Sequence, residues 1–216
     1  MQSFEQMIAK ISTNLDRKLP GTSAHKKLQP YYPSAKNLSI PTNPFAKKSA
    51  VLVLLFPKNN QINVVFIERP ANTGVHSKQI SFPGGGREKN DKNYTATALR
   101  ETYEEIGIEA SKIQVLGKLS KLYVVASNYL IQPIVGFINE VPTYHLSKNE
   151  VDNIIEMPLE NLVYAEILEK PIHSAMGITL QAPYYDLDGR TLWGATAMIT
   201  SELVDLSTDI LKNIEL

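Results

Sequence analysis

Three carboxylates, Glu101, Glu104 and Glu105, crowd into the segment Arg100-Glu101-Thr102-Tyr103-Glu104-Glu105-Ile106-Gly107. The segment reads as the last turns of a helix, the end at which the helix dipole already presents partial negative charge. Glu101 and Glu105 are also an i,i+4 like-charge pair, which costs roughly 0.2–0.5 kcal/mol on an exposed helix. A bound hard cation is the simplest compensation, and a solvated acidic face is the plain alternative. Upstream stands Gly84-Gly85-Gly86. Glycine tolerates positive φ and close backbone approach, so carbonyls or amides of this stretch can reach a ligand or metal, though a tight turn uses the same residues.

The helix that carries the acids starts near Asn93, within Asn90-Asp91-Lys92-Asn93, a run of N-cap residues, and stops at Gly107. At about 100° per residue, Arg100, Thr97, Glu104 and Glu105 fall on the side of Glu101, and Ala96, Leu99, Thr102, Tyr103 and Ile106 on the other. The second face is expected to pack on a sheet while the first presents the acids and one guanidinium.

The remaining elements must hold that helix and its glycines. Phe4, Met7, Ile8, Ile11 and Leu15 have amphipathic helical spacing. Residues 19–49, rich in Pro, Ser, Asn and Lys, read as an extended arm packed over the domain. Ala50–Phe56 is a continuous apolar run, the pattern of a buried strand, and with Ile62–Glu68 it reads as a hairpin across Pro57-Lys58-Asn59-Asn60. Further strands are expected at Ile80–Phe82, Gln114–Leu119, Leu122–Val125, Leu130–Phe137, 178–182 and Tyr184–Leu187. Glu150–Glu156 is open between strand and short helix, and Leu159–Tyr164 reads as a helical turn. Asp188-Gly189 is a hairpin turn, and a last helix starts at Trp193-Gly194-Ala195 and runs to about Val204. Hairpins mixed with helices predict one α+β domain with a mixed sheet, residues 50–216, with the helix and arm of 1–49 packed on it.

Composition bounds the partners. Lys+Arg and Asp+Glu both number 22, so no global basic field favours nucleic acid or an anionic membrane. There is no Cys, which excludes disulfides, thiolate metal sites and a Cys nucleophile. No apolar run approaches the length of a membrane span, and the first residues lack the apolar stretch of a signal peptide. These features predict a soluble cytoplasmic protein.

The residues from Gly85 to Ile108 resemble the Nudix box, whose usual form is Gly, five residues, Glu, seven residues, then Arg-Glu-apolar-x-Glu-Glu-x-Gly-apolar. This chain has Gly85, Asp91 in place of the Glu, one extra residue, and Arg100-Glu101 through Gly107-Ile108, with Thr102 in the apolar slot. Arg69, His76, Gln79 and Ile80-Ser81-Phe82-Pro83-Gly84-Gly85 are similar to the additional motif of the coenzyme A diphosphatase branch, with Lys78 where a Gly is usual. In that branch the Asp and the longer loop are common. The tail from Tyr184-Tyr185 to Trp193-Gly194-Ala195-Thr196-Ala197 is similar to the branch as well.

The resemblance implies a Nudix-type α/β/α sandwich and a diphosphatase dependent on Mg²⁺ or Mn²⁺. It implies Glu101, Glu104 and Glu105 as the metal-site and catalytic residues, with the Gly85 carbonyl as a further ligand. Arg69, His76 and Gln79 are then the substrate-binding residues. Arg100 is expected to brace a carboxylate, and Glu150 or Glu156 is a further acid from outside the box. Arg69, Lys78 and Arg87 are the cations available to the extra 3′-phosphate of coenzyme A. Trp193, Tyr184 and Tyr185 could stack on a base or belong to the core or a subunit interface. The expected products are 3′,5′-ADP and 4′-phosphopantetheine or its acyl form. Two other readings stand beside this one: a Nudix hydrolase of NADH, ADP-ribose or a dNTP, and a non-catalytic nucleotide sensor. The full set of three repelling carboxylates argues against the sensor. A homodimer is left open.

Overall fold

A computed structural model describes residues 3–33, 43–70, 79–173 and 179–212. Its centre is β1 (Lys47–Lys58), which pairs in parallel with β7 (Tyr129–Phe137) and antiparallel with β2 (Gln61–Glu68). The β1–β2 turn is Asn59-Asn60, both at positive φ (54° and 61°), a conformation that matches the twist of a two-residue hairpin. The strand therefore runs through Pro57-Lys58, which the sequence assigns to the turn. β3 (Ile80–Ser81) and β8 (Asn153–Pro158) pair with β2. β4 (Gly84–Gly86) pairs with β1, and β5 (Gln114–Lys118) and β6 (Leu122–Val124) pair with β7. The sheet is mixed, as expected.

β1 is apolar on every position from Ala50 to Phe56 because both of its faces are covered. Val53 and Leu55 join one core, with Val64 and Phe66 of β2. Ala50, Leu52, Leu54 and Phe56 join the other, with Val65 and Ile67. The first core is closed by α1 (Phe4–Leu15), α4 (Leu159–Tyr164) and α5 (Gly194–Lys212), and the second by α3 (Tyr94–Ile106). This is the α/β/α sandwich. α1 opens with a capping box of Ser3 and Gln6 and buries Met7, Ile8, Ile11 and Leu15. None of the described helices is long and apolar enough to cross a membrane.

Four elements differ from the sequence reading. Residues 19–49 are not wholly extended: α2 (Thr22–Lys27) lies within them and buries Ala24, while Leu28 just beyond is fully covered. No side chain caps α2, so tertiary burial rather than a local signal makes the helix. A second sheet has the order β11-β10-β9, with β9 at Leu168–His173, β10 at Thr179–Leu187 and β11 at Arg190–Trp193. Pro183 splits β10 in the sequence but not in the structure, because only β9 pairs with it there. β9 is an edge strand carrying Pro171, which weakens its strand signal. The Asp188-Gly189 hairpin turn is as expected, with both residues at positive φ. α5 extends two turns beyond Val204 because Leu206, Ile210 and Leu211 remain in the core.

Glu202, fully buried on α5, ties α2 and the β5–β6 loop to this helix. It accepts hydrogen bonds from the Gly21 N–H (3.0 Å) and the Ser120 N–H (3.0 Å) and meets His25 Nε2 at 3.1 Å. Burial alone raises the pKa of its carboxyl, but the bonds from His25, Ser120 and Gly21 outweigh it and the net shift is downward. Replacing it leaves buried donors without an acceptor. Glu202→Ala is expected to lower the unfolding free energy by about 3 kcal/mol, read from the urea midpoint at constant m-value.

Candidate active site

Asn93 caps α3: its side chain accepts the Ala96 N–H at 2.9 Å. Gly107, at φ 74°, ends the helix, and a Cβ there would stand 2.5 Å from that of His145. The loop around His145 supplies the C-terminal cap. The His145 N–H donates to the Ile106 carbonyl (2.9 Å) and the Ser147 N–H to the Glu105 carbonyl (3.0 Å), so the exposed negative end of the dipole is taken up by backbone amides.

The buried stripe of α3 runs through Thr97, Ala98, Thr102, Glu105 and Ile106. This corrects the two-face reading. Glu105 lies on the packed side, 3% exposed, and Tyr103 is 55% exposed. The helix is rotated so that its acidic flank sits at the margin of the interface rather than opposite it. Thr102 fits the apolar slot because its hydroxyl donates to the Ala98 carbonyl at 2.7 Å and leaves its methyl for packing.

The three glycines are a strand, not only a turn. Gly84, Gly85 and Gly86 pair with Val51, Ala50 and Ser49 of β1. This places the Gly84 N–H 2.8 Å from Glu105 Oε2. Gly84, at φ 153°, has no room for a Cβ, which would stand 2.4 Å from the Ala50 carbonyl oxygen. A Cβ on Gly85 would stand 2.5 Å from the Glu101 carboxyl. The absent side chain is what lets the acid lie over the β4 backbone.

Two guanidinium groups hold the acids. Arg100 donates to both Asp91 oxygens (Nε–Oδ1 3.1 Å, Nη2–Oδ2 3.0 Å), to Glu104 Oε2 (2.8 Å) and to the Gly86 carbonyl (3.0 Å), and it pairs with Glu101 Oε1 at 3.0 Å. Arg100 thus braces carboxylates, as expected from its position. Asp91, buried, also accepts the Glu88 N–H at 2.9 Å. The bonds from Arg100 hold its carboxyl well below the usual value of 3.8, at about 2, against the opposing effect of burial. Lys92, beside it, is exposed. Arg69 Nη2 reaches Glu105 Oε1 at 3.2 Å, and its backbone N–H donates to the Gln79 carbonyl at 3.0 Å. Arg69 therefore stands beside an acid of the box, and Gln79 beside Arg69. His76 and Lys78 lie outside the described residues.

Burial pushes the Glu105 carboxyl up to about 7, although the Gly84 N–H and Arg69 favour its charged form. Burial likewise raises Glu101, with Arg100 opposing. The charge of Glu150 adds to the upward shift of both, so this residue is near the cluster, carried there by the loop that caps α3. Glu156 is not. It points from β8 to Lys58 and to the Tyr144 hydroxyl (2.9 Å). Arg87 binds the Asp91 (3.0 Å) and Lys92 (3.3 Å) carbonyls and so secures its own loop. Tyr185 is buried in the first core, whereas Trp193 and Tyr184 are partly exposed.

The donors are all hard oxygens, the type that Mg²⁺ and Mn²⁺ select. The space that Gly85 keeps free lies between its backbone and the Glu101 carboxyl. As the side chains stand, Glu101 and Glu104 lie on Arg100. Among the described residues no three acidic or imidazole groups converge closely enough to hold an ion. Glu101 already lies over Gly85, so an ion held there would need Glu104 to leave the guanidinium.

A family model described as NUDIX domain matches residues 46–175. Similar proteins include two named uncharacterized Nudix hydrolase NudL. The one from Photorhabdus laumondii is 33% identical over 157 residues, 73% of this chain and 83% of that protein. The one from Escherichia fergusonii is 29% identical over 163 residues, 73% and 81% of the two chains. A solved structure of a MutT/nudix family protein from Enterococcus faecalis aligns with a TM-score of 0.51 at 18% identity, covering 80% of this chain and 66% of that one, a likeness of fold.

Asp91 gives the site a pH signature. Its folded pKa is depressed, so its contribution to stability is present above 3.8 and is lost as pH falls toward about 2. Asp91→Asn is expected to lower Tm at pH 7, and the gap from wild type should close as pH drops from 4 to 2; thermal melts across that range decide it.

Proposed function

This chain belongs to the Nudix family and is a hydrolase of phosphorus anhydrides, and on that premise we propose that its substrate is coenzyme A or a derivative. The diphosphate bond is cut to give 3′,5′-ADP and 4′-phosphopantetheine or its acyl form. The observation that supports this choice is the placement of Arg69. It closes the backbone pairing with Gln79, a further residue of the branch motif, and its guanidinium lies on Glu105 of the box. The residues that carry the two resemblances thus meet at one place.

Glu101, Glu104 and Glu105, with the Gly85 carbonyl, would hold the Mg²⁺ or Mn²⁺. When bound, such an ion neutralises phosphate charge and acidifies water. The chain's own groups set the conditions for that chemistry. Arg100, anchored on Asp91, keeps Glu101 and Glu104 at the rim of β4. Gly84 and the α3–β1 packing keep Glu105 out of water, which strengthens its pull on a cation in a low-dielectric setting. Arg69, one-third exposed beside Glu105, supplies a positive charge for an anionic diphosphate. His76 completes the substrate-binding set.

The test is a hydrolysis panel with Mg²⁺ and Mn²⁺ over coenzyme A, an acyl-coenzyme A, NADH, ADP-ribose and dNTPs, with products identified by mass. Coenzyme A or its acyl form is expected to show the highest kcat/KM; a clear preference for ADP-ribose or NADH overturns the reading. Glu104→Gln and Glu105→Gln are expected to lower kcat by at least about 100-fold, the scale of losing one group that stabilises charge in the transition state. Near wild-type turnover of either at saturating metal removes it from the metal site. His76→Ala should lower the preference for coenzyme A over ADP-ribose.

A further inference from the structure

A second cluster of cations lies outside the carboxylate site. The β10–β11 hairpin packs against the edge strand β3, and the two sheets enclose a polar cleft of about 410 Å³. Its walls include Glu68, Gln79, Lys170, Arg190, Thr191 and Trp193. Lys170 is half-buried. Its ammonium donates to the Thr191 hydroxyl (2.8 Å) and stands 5.2 Å from the Tyr184 ring centroid. Neither partner neutralises it, and no carboxylate among the described residues forms an ion pair with it. Arg190 is 43% exposed and only loosely held, with Nε 4.0 Å from Glu68 Oε2. Two cations thus face one carboxylate, and a positive charge is left over. A half-buried ammonium without a counterion is disfavoured unless an anion completes the site.

The cleft adjoins the carboxylates. Gln79 lines it, and the Gln79 carbonyl is bonded to the N–H of Arg69, whose guanidinium lies on Glu105. Trp193 adds an aromatic wall of the kind on which a nucleobase stacks. Glu68 can accept a hydrogen bond from a ribose hydroxyl while Arg190 swings from it to phosphate. We propose that this cleft is the subsite for a phosphorylated ribonucleoside end of the substrate, with Lys170 and Arg190 binding a phosphate monoester separate from the diphosphate that is cut. The proposal rests on the reading of the substrate above. It assigns the 3′-phosphate of coenzyme A to Lys170 and Arg190 in place of Arg87, which is committed to its own loop.

Two measurements separate this subsite from the reading beneath it. The first is the ratio of kcat/KM for coenzyme A to that for dephospho-coenzyme A, which lacks only the 3′-phosphate. Lys170→Ala and Arg190→Ala are each expected to lower the ratio by about tenfold, the scale of one charge-assisted hydrogen bond. Lys170→Arg, which retains the charge, should restore most of it. An unchanged ratio in both alanine variants, with coenzyme A still hydrolysed, overturns the subsite and leaves the substrate reading standing. The second measurement is calorimetric binding of adenosine 3′,5′-bisphosphate to the full chain in EDTA, where no turnover occurs. Its Kd should rise about tenfold in Lys170→Ala. Binding that depends on Lys170 in a protein that hydrolyses no coenzyme A supports the cleft and sinks the substrate reading. Binding equal in wild type and both alanine variants overturns the cleft. Unchanged Tm values confirm that the variants are folded.

Discussion

The shared guanidinium of Arg100 is the interaction on which the site depends. It is clamped in two places by Asp91, and from that anchor it reaches Glu101, Glu104 and the Gly86 carbonyl. Without it, the acids of α3 would repel one another at the negative end of a helix dipole. Asp91 thereby acquires a definite role. Its carboxyl stays charged because it faces Arg100, and Arg100 stays placed because Asp91 does not give up its charge. The extra residue in the loop between the glycines and the helix belongs to this arrangement. The loop folds so that the Glu88 N–H and the side chain of Arg100 both converge on the one carboxylate.

A second constraint comes from β1. Because it is covered on both faces, its alternate residues go to different cores, and its edges are left for pairing with β7, β2 and β4. The β4 pairing carries the site. It presses the Gly84–Gly86 backbone against the strand so closely that Gly84 admits no side chain, and it aims the Gly84 N–H at Glu105. α3 packs over the same strand with Ala98 and Ile106 in the core. Fold and chemistry share these contacts, so the buried acid is positioned by the same packing that closes the second core.

The two adjacent acids of the last turn of α3 differ in surroundings. Glu104 is about half exposed, whereas Glu105 is nearly sealed and its carboxyl is pushed up to about 7. Burial raises the carboxyls of Glu101 and Glu105 most, the charges of neighbouring acids add to it, and Arg100 and Arg69 oppose it. Such a cluster is a poor surface for a protein that only needs solubility.

Much of this was legible in the amino-acid order, because it is encoded locally. Asn93 and Gly107 bound α3 through capping chemistry. The unbroken apolar run of β1 announced a strand covered on both faces, and the spacing from Arg100 to Gly107 marked the carboxylate site and its family. What the order could not settle depends on contacts between distant segments. The rotation of α3, which buries Glu105 and exposes Tyr103, follows from how the helix meets β1 and β4, since periodicity defines a stripe but not which edge of it faces inward. That Glu150 rather than Glu156 lies near the acids follows from the loop that caps α3 and from the pairing of β8 with β2. α2 and β9 have weak local signals and exist because α5 and β10 cover them. The cleft between β3 and β11 joins residues more than a hundred positions apart, a proximity that only the packing of the two sheets creates.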